Sequence, residues 1–257
     1  MNHPIHSEKL RFTGSQQTLL DARLDLPQDI TPRSYVVLCH CFTCTKETLT
    51  TARVARGLAQ QGYAVLRFDF TGLGGSAGNF ADSNFSSMVE DIRCAARYLQ
   101  QDYQSPVALL GHSMGGTAAL VASRDITTCK TVVTLASPAQ PAHVLHHFGS
   151  VLQQLEAGHA AHITVAGAHY PVKPQFLQDV RATNMQQLLQ GYATPVLAIN
   201  AERDDLVAAD AAQHIISMSQ GESRIVQMAG ADHLFSDRNT TLEMIDIIAA
   251  WLQQQGC

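Results

Sequence analysis

Val107-Ala108-Leu109-Leu110-Gly111-His112-Ser113-Met114-Gly115-Gly116-Thr117-Ala118-Ala119-Leu120 is a short apolar run that meets Gly-x-Ser-x-Gly and passes into small residues with helical character. Strand, tight turn and helix in that order form the setting a nucleophile elbow requires. A serine forced onto a strained turn projects its hydroxyl out of the top of a sheet. Gly111 and Gly115 lie two residues either side of Ser113, where a Cβ would collide with the neighbouring strand and helix. Gly116, Ala118 and Ala119 let the helix lie close to the sheet, and its N-terminus aims amide N–H groups at the serine. Taken alone, the motif also fits a Gly/Ser turn before a buried helix, so its partners must decide.

Outward from this stretch, strands alternate with helices. Lys9 to Thr13 and Leu19 to Leu26 read as an N-terminal antiparallel hairpin. Tyr35 to Cys39, Ala64 to Phe68, Thr131 to Ala136, Pro195 to Asn200 and Arg224 to Met228 read as further strands, the first continuously apolar as in a strand buried on both faces. Helices are expected where Leu49, Ala52, Ala55, Leu58 and Ala59 share a face, and where Phe85, Met88, Val89, Ile92, Ala96 and Leu99 do. Two more are expected over Ala208 to Ser219 and from a capping box at Thr240-x-x-Glu243, the last with Leu242, Ile245, Ile248 and Leu252 inward. This alternation predicts an α/β fold, a mostly parallel twisted sheet with helices on both faces. Between about 138 and 192 the pattern breaks. A His-rich helix (Ala142 to Leu155), a hairpin near Ile163 to Gly167 and a helix from about Gln175 to Leu189 are expected there, where a lid would sit.

A chain of 257 residues with 46% apolar side chains suits one domain, 1–257, with that lid inserted. The formal net charge of −5, without a Lys/Arg run, argues against nucleic acid or an anionic membrane as partner. No membrane span and no signal-peptide h-region are expected, which points to a cytoplasmic protein. Six cysteines are too dilute for a disulfide scaffold, and Cys39, Cys94 and Cys129 read as small core residues.

A serine hydroxyl needs a base, and the base needs an orienting acid. Both should leave the same sheet edge as Ser113. After Ile199 comes Ala201-Glu202-Arg203-Asp204-Asp205-Leu206-Val207; after Met228 comes Ala229-Gly230-Ala231-Asp232-His233-Leu234-Phe235. The order Ser, Asp, His is the one expected for such a sheet. His233 is the candidate base, and the adjacent carboxylates Asp204 and Asp205 are the candidate acids. Asp232, beside His233 in sequence, reads as a loop-shaping residue, and His112 should point away from the serine. The backbone N–H groups of Met114 and Phe42 are the candidate oxyanion donors. Phe148, Phe176 and His147 are candidate pocket residues. His143, His146 and His147 lack the carboxylate or cysteine spacing of a metal site, so neither metal nor organic cofactor is expected.

His40-Cys41-Phe42-Thr43-Cys44, Arg67-Phe68-Asp69-Phe70-Thr71-Gly72-Leu73-Gly74, Asn84-Phe85, the Gly111 to Gly116 motif and Gly230 to Ser236 together resemble the α/β-hydrolase superfamily. Within it the chain is similar to hydrolases associated with OsmC-type domains, to cinnamoyl/feruloyl esterases and to the serine aminopeptidase S33-like group. The resemblance implies Ser113 as nucleophile, Asp204 as acid, His233 as base and the Phe42 and Met114 amides as oxyanion donors. It implies hydrolysis of a small-molecule carboxylic ester; aminopeptidase and thioesterase activity use the same residues. Cys41 stands where relatives commonly carry glycine, and Ala201 likewise. Cys41-Phe42-Thr43-Cys44 also supports a reading from another class, a thiol-redox protein, since Cys-x-x-Cys between strand and helix is where a thioredoxin-like pair sits. Gly72 to Gly75 lacks the full dinucleotide pattern. Oligomeric state is left open.

Overall fold

Alternating burial builds the N-terminal hairpin from β1 (Ile5–Thr13) and β2 (Leu19–Pro27), paired antiparallel from Ile5–Pro27 to Thr13–Leu19 in a computed structural model that describes residues 2–257. The chain continues through β3 (Tyr35–Cys39), α1 (Leu49–Gln60), β4 (Ala64–Phe68), α2 (Phe85–Asp102), β5 (Ala108–His112), α3 (Met114–Ser123) and β6 (Thr131–Leu135). Beyond the 138–192 segment lie β9 (Val196–Arg203), α7 (Ala211–Ser217), β10 (Ser223–Asp232) and α8 (Arg238–Gln254). The strands form one eight-stranded sheet in the order β1-β2-β4-β3-β5-β6-β9-β10. β1, β2 and the β2–β4 pairing are antiparallel; every pairing from β4 to β10 is parallel.

The continuously apolar strands serve two cores at once, because successive side chains leave opposite faces. Val37, Leu66, Phe68 and Leu109 pack on one face with Phe85, Met88, Val89 and Ile92 of α2 and Ala118 and Ala119 of α3. Val36, Leu38, Val65, Leu110 and Val133 pack on the other with Val54, Ala55 and Leu58 of α1 and Ile245, Ile248, Trp251 and Leu252 of α8. Cys39 and Cys94 are buried as expected, whereas Cys129 is only half-buried.

One charge breaks the apolar run of β4. Arg67 is wholly buried, its Nε donating to Asp25 Oδ2 at 2.7 Å and its Nη1 to the Lys46 carbonyl at 2.6 Å. Removing one member of a buried ion pair typically costs about 3–5 kcal/mol; Glu47, 3.0 Å from Arg67 Nη1 and partly exposed, stays as a weaker counter-charge, so about 3 kcal/mol is the expectation here. Asp25→Ala is therefore expected to destabilise the fold by about that amount, measured as a lower urea midpoint with an unchanged m-value.

Between β6 and β9 the expected helix over Ala142 to Leu155 is broken. Pro141–His147 forms a 3₁₀ helix, Gly149 turns at φ +52°, and α4 covers only Val151–Glu156. The hairpin is present as β7 (Ala161–Val165) and β8 (Ala168–Val172). The helix expected from Gln175 to Leu189 is two, α5 (Pro174–Ala182) and α6 (Met185–Leu188). Thr183 takes extended backbone with its hydroxyl bonded to the Asp179 carbonyl, and Asn184 caps the new start. These local hydrogen bonds compete with the helical ladder.

Three smaller expectations are also corrected. α7 is shorter than Ala208 to Ser219. α8 starts at Arg238, where Asp237 Oδ1 accepts from the Thr240 amide at 2.8 Å, so Thr240 lies inside the first turn rather than at the cap. Leu242 and Leu49 are exposed instead of inward.

Candidate active site

Ser113 joins β5 to α3 at φ 53° and ψ −129°, a backbone region costly for any residue with a Cβ. The turn is held by close approach. A Cβ on Gly115 would overlap the carbonyl of His40, and one on Gly111 would overlap the backbone of Gly115 and Gly116. Only glycine lets the elbow press against the end of β3, and this contact places the two neighbouring loops side by side.

Asp204 follows β9. Its Oδ1 accepts from the amides of Leu206 and Val207 at 2.9 Å each, and its Oδ2 meets His233 Nδ1 at 2.8 Å. Burial by itself would raise the Asp204 pKa, but the hydrogen bonds from His233 and the Val207 and Leu206 amides outweigh it and hold the carboxyl below its ordinary value. An ionised carboxylate only accepts, so Nδ1 carries the proton and Nε2 keeps the free lone pair. Asp205 does not join this pair; the two amide bonds to Asp204 Oδ1 turn that carboxylate, not its neighbour, toward the imidazole.

The His233 loop is shaped from both sides. Asp232 Oδ1 accepts from the Ser236 amide at 2.8 Å, as its reading as a loop-shaping residue anticipates, and Phe235 sits at φ 48°. Thr50 donates its hydroxyl to the Leu234 carbonyl. His112 turns away from the cavity, and its Nε2–H donates to the His233 carbonyl at 2.8 Å. The residue before Ser113 thus supports the backbone of His233.

His40 supports the third loop. The Phe70 amide can only donate, so His40 Nε2 accepts from it at 3.2 Å and Nδ1–H donates to the Cys41 carbonyl at 2.8 Å. Carbonyl and N–H point oppositely across a trans peptide, so gripping the Cys41 oxygen turns the Phe42 N–H the other way. Among the described residues that N–H has no hydrogen-bond partner. The Met114 amide opens α3 and is likewise free of the helical ladder.

Burial, the largest cause in each case, pulls the pKa of His112 down to about 3 and that of His40 to about 4. The unfolded chain would protonate both rings near pH 6.5. The folded protein then binds fewer protons below that pH and loses stability as pH falls from 6.5 toward 4. The expected loss between pH 6.5 and 5 is about 2 kcal/mol per ring, visible as a falling calorimetric Tm. His112→Gln keeps a donor for the His233 carbonyl, has no site for a proton, and is expected to flatten that slope by about half.

Ser113, Met114, Phe42 and His233 face one cavity of about 530 Å³. Among the described residues no hydrogen bond joins Ser113 Oγ to His233, whose Nδ1 is engaged by Asp204. His147 and Phe148 line the cavity as expected. Phe176 does not: it is buried behind the wall, stacked 5.7 Å from Phe148 and 5.4 Å from Phe42. Val144, Ile163, Val165 and Tyr170 from the 138–192 segment complete the wall, with Leu206 and Leu234 from the acid and histidine loops. The last two follow Asp204 and His233 so closely in sequence that adjacency alone could have flagged them; the hairpin residues carried no such signal. His143 lies in the wall with Nε2 on the Leu206 carbonyl at 2.7 Å, its ring centroid 5.0 Å from that of His146. Cys41 and Cys44 are joined by a disulfide and also line the cavity. Among the described residues, no Asp, Glu, Lys or Arg lines it.

The family profile described as serine aminopeptidase, S33, matches residues 30–181. The chain belongs to this family of α/β hydrolases. An esterase domain from Rhodothermus marinus shares 32% identity, with 97% of this chain and 98% of that one covered and a TM-score of 0.78. Est1E from Butyrivibrio proteoclasticus, solved with ferulic acid bound, has the same fold at 20% identity, 95% and 98% coverage and TM-score 0.77. So does an α/β serine hydrolase without a lid from Xanthomonas campestris, at 18% identity, 99% and 97% coverage and TM-score 0.67. No curated protein matches the sequence. Among the described residues no helix is long and apolar enough to cross a membrane. This α/β hydrolase carries its candidate residues on the loops that leave β3, β5, β9 and β10, all at the carboxyl ends of parallel strands, where open α/β sheets bind ligands.

Proposed function

We propose that this α/β hydrolase cleaves carboxylic esters of apolar acids through an acyl-enzyme. The observation that carries the reading is the His233–Asp204 pair, at 2.8 Å, opening on the same cavity as Ser113 in its left-handed turn. Ser113 Oγ attacks the ester carbonyl while His233 Nε2 takes its proton. The negative charge that develops on the carbonyl oxygen is met by the Phe42 and Met114 amides. His233 then returns the proton to the departing alkoxide. Water, deprotonated by the same imidazole, releases the acid and regenerates Ser113. Asp204 holds the imidazole in the tautomer this requires and offsets its charge once protonated.

The uncharged wall selects among the chemistries open to such a triad. An aminopeptidase must seat a substrate ammonium group, and an unpaired charge in an apolar cavity is costly. A neutral acyl group against Val144, Phe148, Ile163 and Leu234 incurs no such cost. The likeness to the Rhodothermus esterase domain, over nearly the whole of both chains, supports the same choice. In this reading the chain is one domain and the 138–192 segment is its lid, since that segment supplies most of the apolar wall.

A panel of p-nitrophenyl esters of graded acyl length, aryl esters and aminoacyl anilides tests the proposal, alongside labelling by a fluorophosphonate. Turnover of esters with weak or no anilide hydrolysis is expected, with the label on Ser113. Faster anilide than ester hydrolysis, or an unlabelled Ser113, would overturn it.

A further inference from the structure

We infer that the Cys41–Cys44 disulfide is a positioning element for the oxyanion peptide, so that its reduction lowers turnover without loosening substrate binding. The inference rests on the ester-hydrolase reading above and adds to it a control by the redox state of two cysteines.

The bridge encloses Phe42 and Thr43 and no other residue. Its Cα atoms are 5.2 Å apart, and the same turn is closed by the Cys44 amide donating to the Cys41 carbonyl at 3.1 Å. Thr43 within it stands at φ 61°, where a β-branched residue is an outlier. Such a conformation persists only when its surroundings over-determine it. His40 grips the Cys41 carbonyl from one side, and the bridge ties the Cys41 side chain on the other. Together they fix the peptide plane that presents the Phe42 N–H. The Thr43 hydroxyl on the Phe42 carbonyl at 2.7 Å and the Tyr170 hydroxyl on the Thr43 carbonyl at 3.1 Å also restrain the turn, and the bridge is the covalent tie added to them.

Access is available. Cys44 is half-buried and both cysteines line the cavity, so a small dithiol can reach the bridge from the substrate side. A dithiol supplies two electrons and two protons. The S–S bond becomes two thiols, and the reductant closes to its own disulfide. In a reducing compartment a disulfide of this kind is most often transient and redox-sensing. With the tie released, Thr43 can leave its left-handed conformation and the Phe42 N–H is no longer held on the developing oxyanion. Removing one such donor typically lowers turnover by about 10²–10³, and a donor that is present but unheld should account for a part of that.

The experiment compares full-length enzyme oxidised with glutathione disulfide and the same enzyme reduced with dithiothreitol, on the best p-nitrophenyl ester. Mass spectrometry after alkylation counts the thiols at Cys41 and Cys44. Reduction is expected to lower kcat about tenfold or more, leave KM within about twofold and reverse on reoxidation. Cys41→Ser/Cys44→Ser is expected to have the lower kcat constantly and not to respond to dithiothreitol. Circular dichroism of the reduced wild type guards against a folding defect in that variant. Three results overturn the inference while leaving ester hydrolysis intact: equal kcat in both states, a higher kcat after reduction, or failure of the two thiols to form the bridge under oxidant. No ester turnover by the enzyme in either state would overturn the hydrolase reading, and this inference with it.

Discussion

Ser113→Ala is expected to lower kcat on p-nitrophenyl esters by about 10⁶, leaving only the modest rate that binding and the oxyanion donors provide. The magnitude follows from the proposed mechanism. Without Oγ there is no acyl-enzyme, and the remaining parts of the site act as a unit that is nearly useless without its nucleophile. The substitution removes one oxygen from a half-exposed residue, and alanine fits the same turn as serine. Thermal stability should therefore be unchanged within about 0.5 kcal/mol, and a loss of activity cannot be ascribed to unfolding. Steady-state kinetics with active-site titration checks the first part, and calorimetry the second. Retention of more than about one part in 10³ of wild-type turnover would exclude Ser113 as the nucleophile.

The second large effect separates two adjacent carboxylates. Asp204→Asn keeps the size of the side chain but offers an amide where His233 Nδ1 now meets an oxygen. The imidazole then gains by changing tautomer, which puts the proton on Nε2 and leaves no lone pair for Ser113. A loss in kcat of about 10⁴ is expected, with KM changed little. Asp205→Asn touches neither the His233 bond nor the Leu206 and Val207 amides, and should leave kcat within about threefold. Reversal of these two outcomes would move the acid to Asp205. The Asp204 variant should recover part of its activity at high pH, where hydroxide competes for the serine proton, whereas a variant that is merely misfolded would not. A pH–rate profile to pH 10 distinguishes them.

Much of this molecule was legible along the chain because the signals are local. A five-residue apolar run can only be a strand or a short buried helix, and glycines at 111 and 115 with small residues after them decide for strand, turn and helix. The order of Ser113, Asp204 and His233 follows from which strand ends carry polar loops. The segment 138–192 announced itself by losing the pattern, but its internal form did not. There, Pro141, Gly149 and the side chains of Thr183 and Asn184 divide stretches that periodicity alone joins into long helices. Local hydrogen bonds and a single left-handed residue outweigh a few tenths of a kcal/mol of propensity per position.

Tertiary structure alone decided the rest, because those features depend on groups far apart in sequence meeting at fixed angles. Which of Asp204 and Asp205 meets His233 is set by two backbone amides that orient one carboxylate. That Phe148 lines the cavity while Phe176 stands behind it depends on how a hairpin and two helices stack. The roles of His40 and His112 as backbone supports required knowing which nitrogen meets which carbonyl. Above all, a Cys-x-x-Cys motif carries one meaning in a thioredoxin-like loop and another beside the candidate nucleophile, Ser113. Only the packing of the end of β3 against the elbow, through Gly115 and the His40 carbonyl, puts that motif next to Ser113.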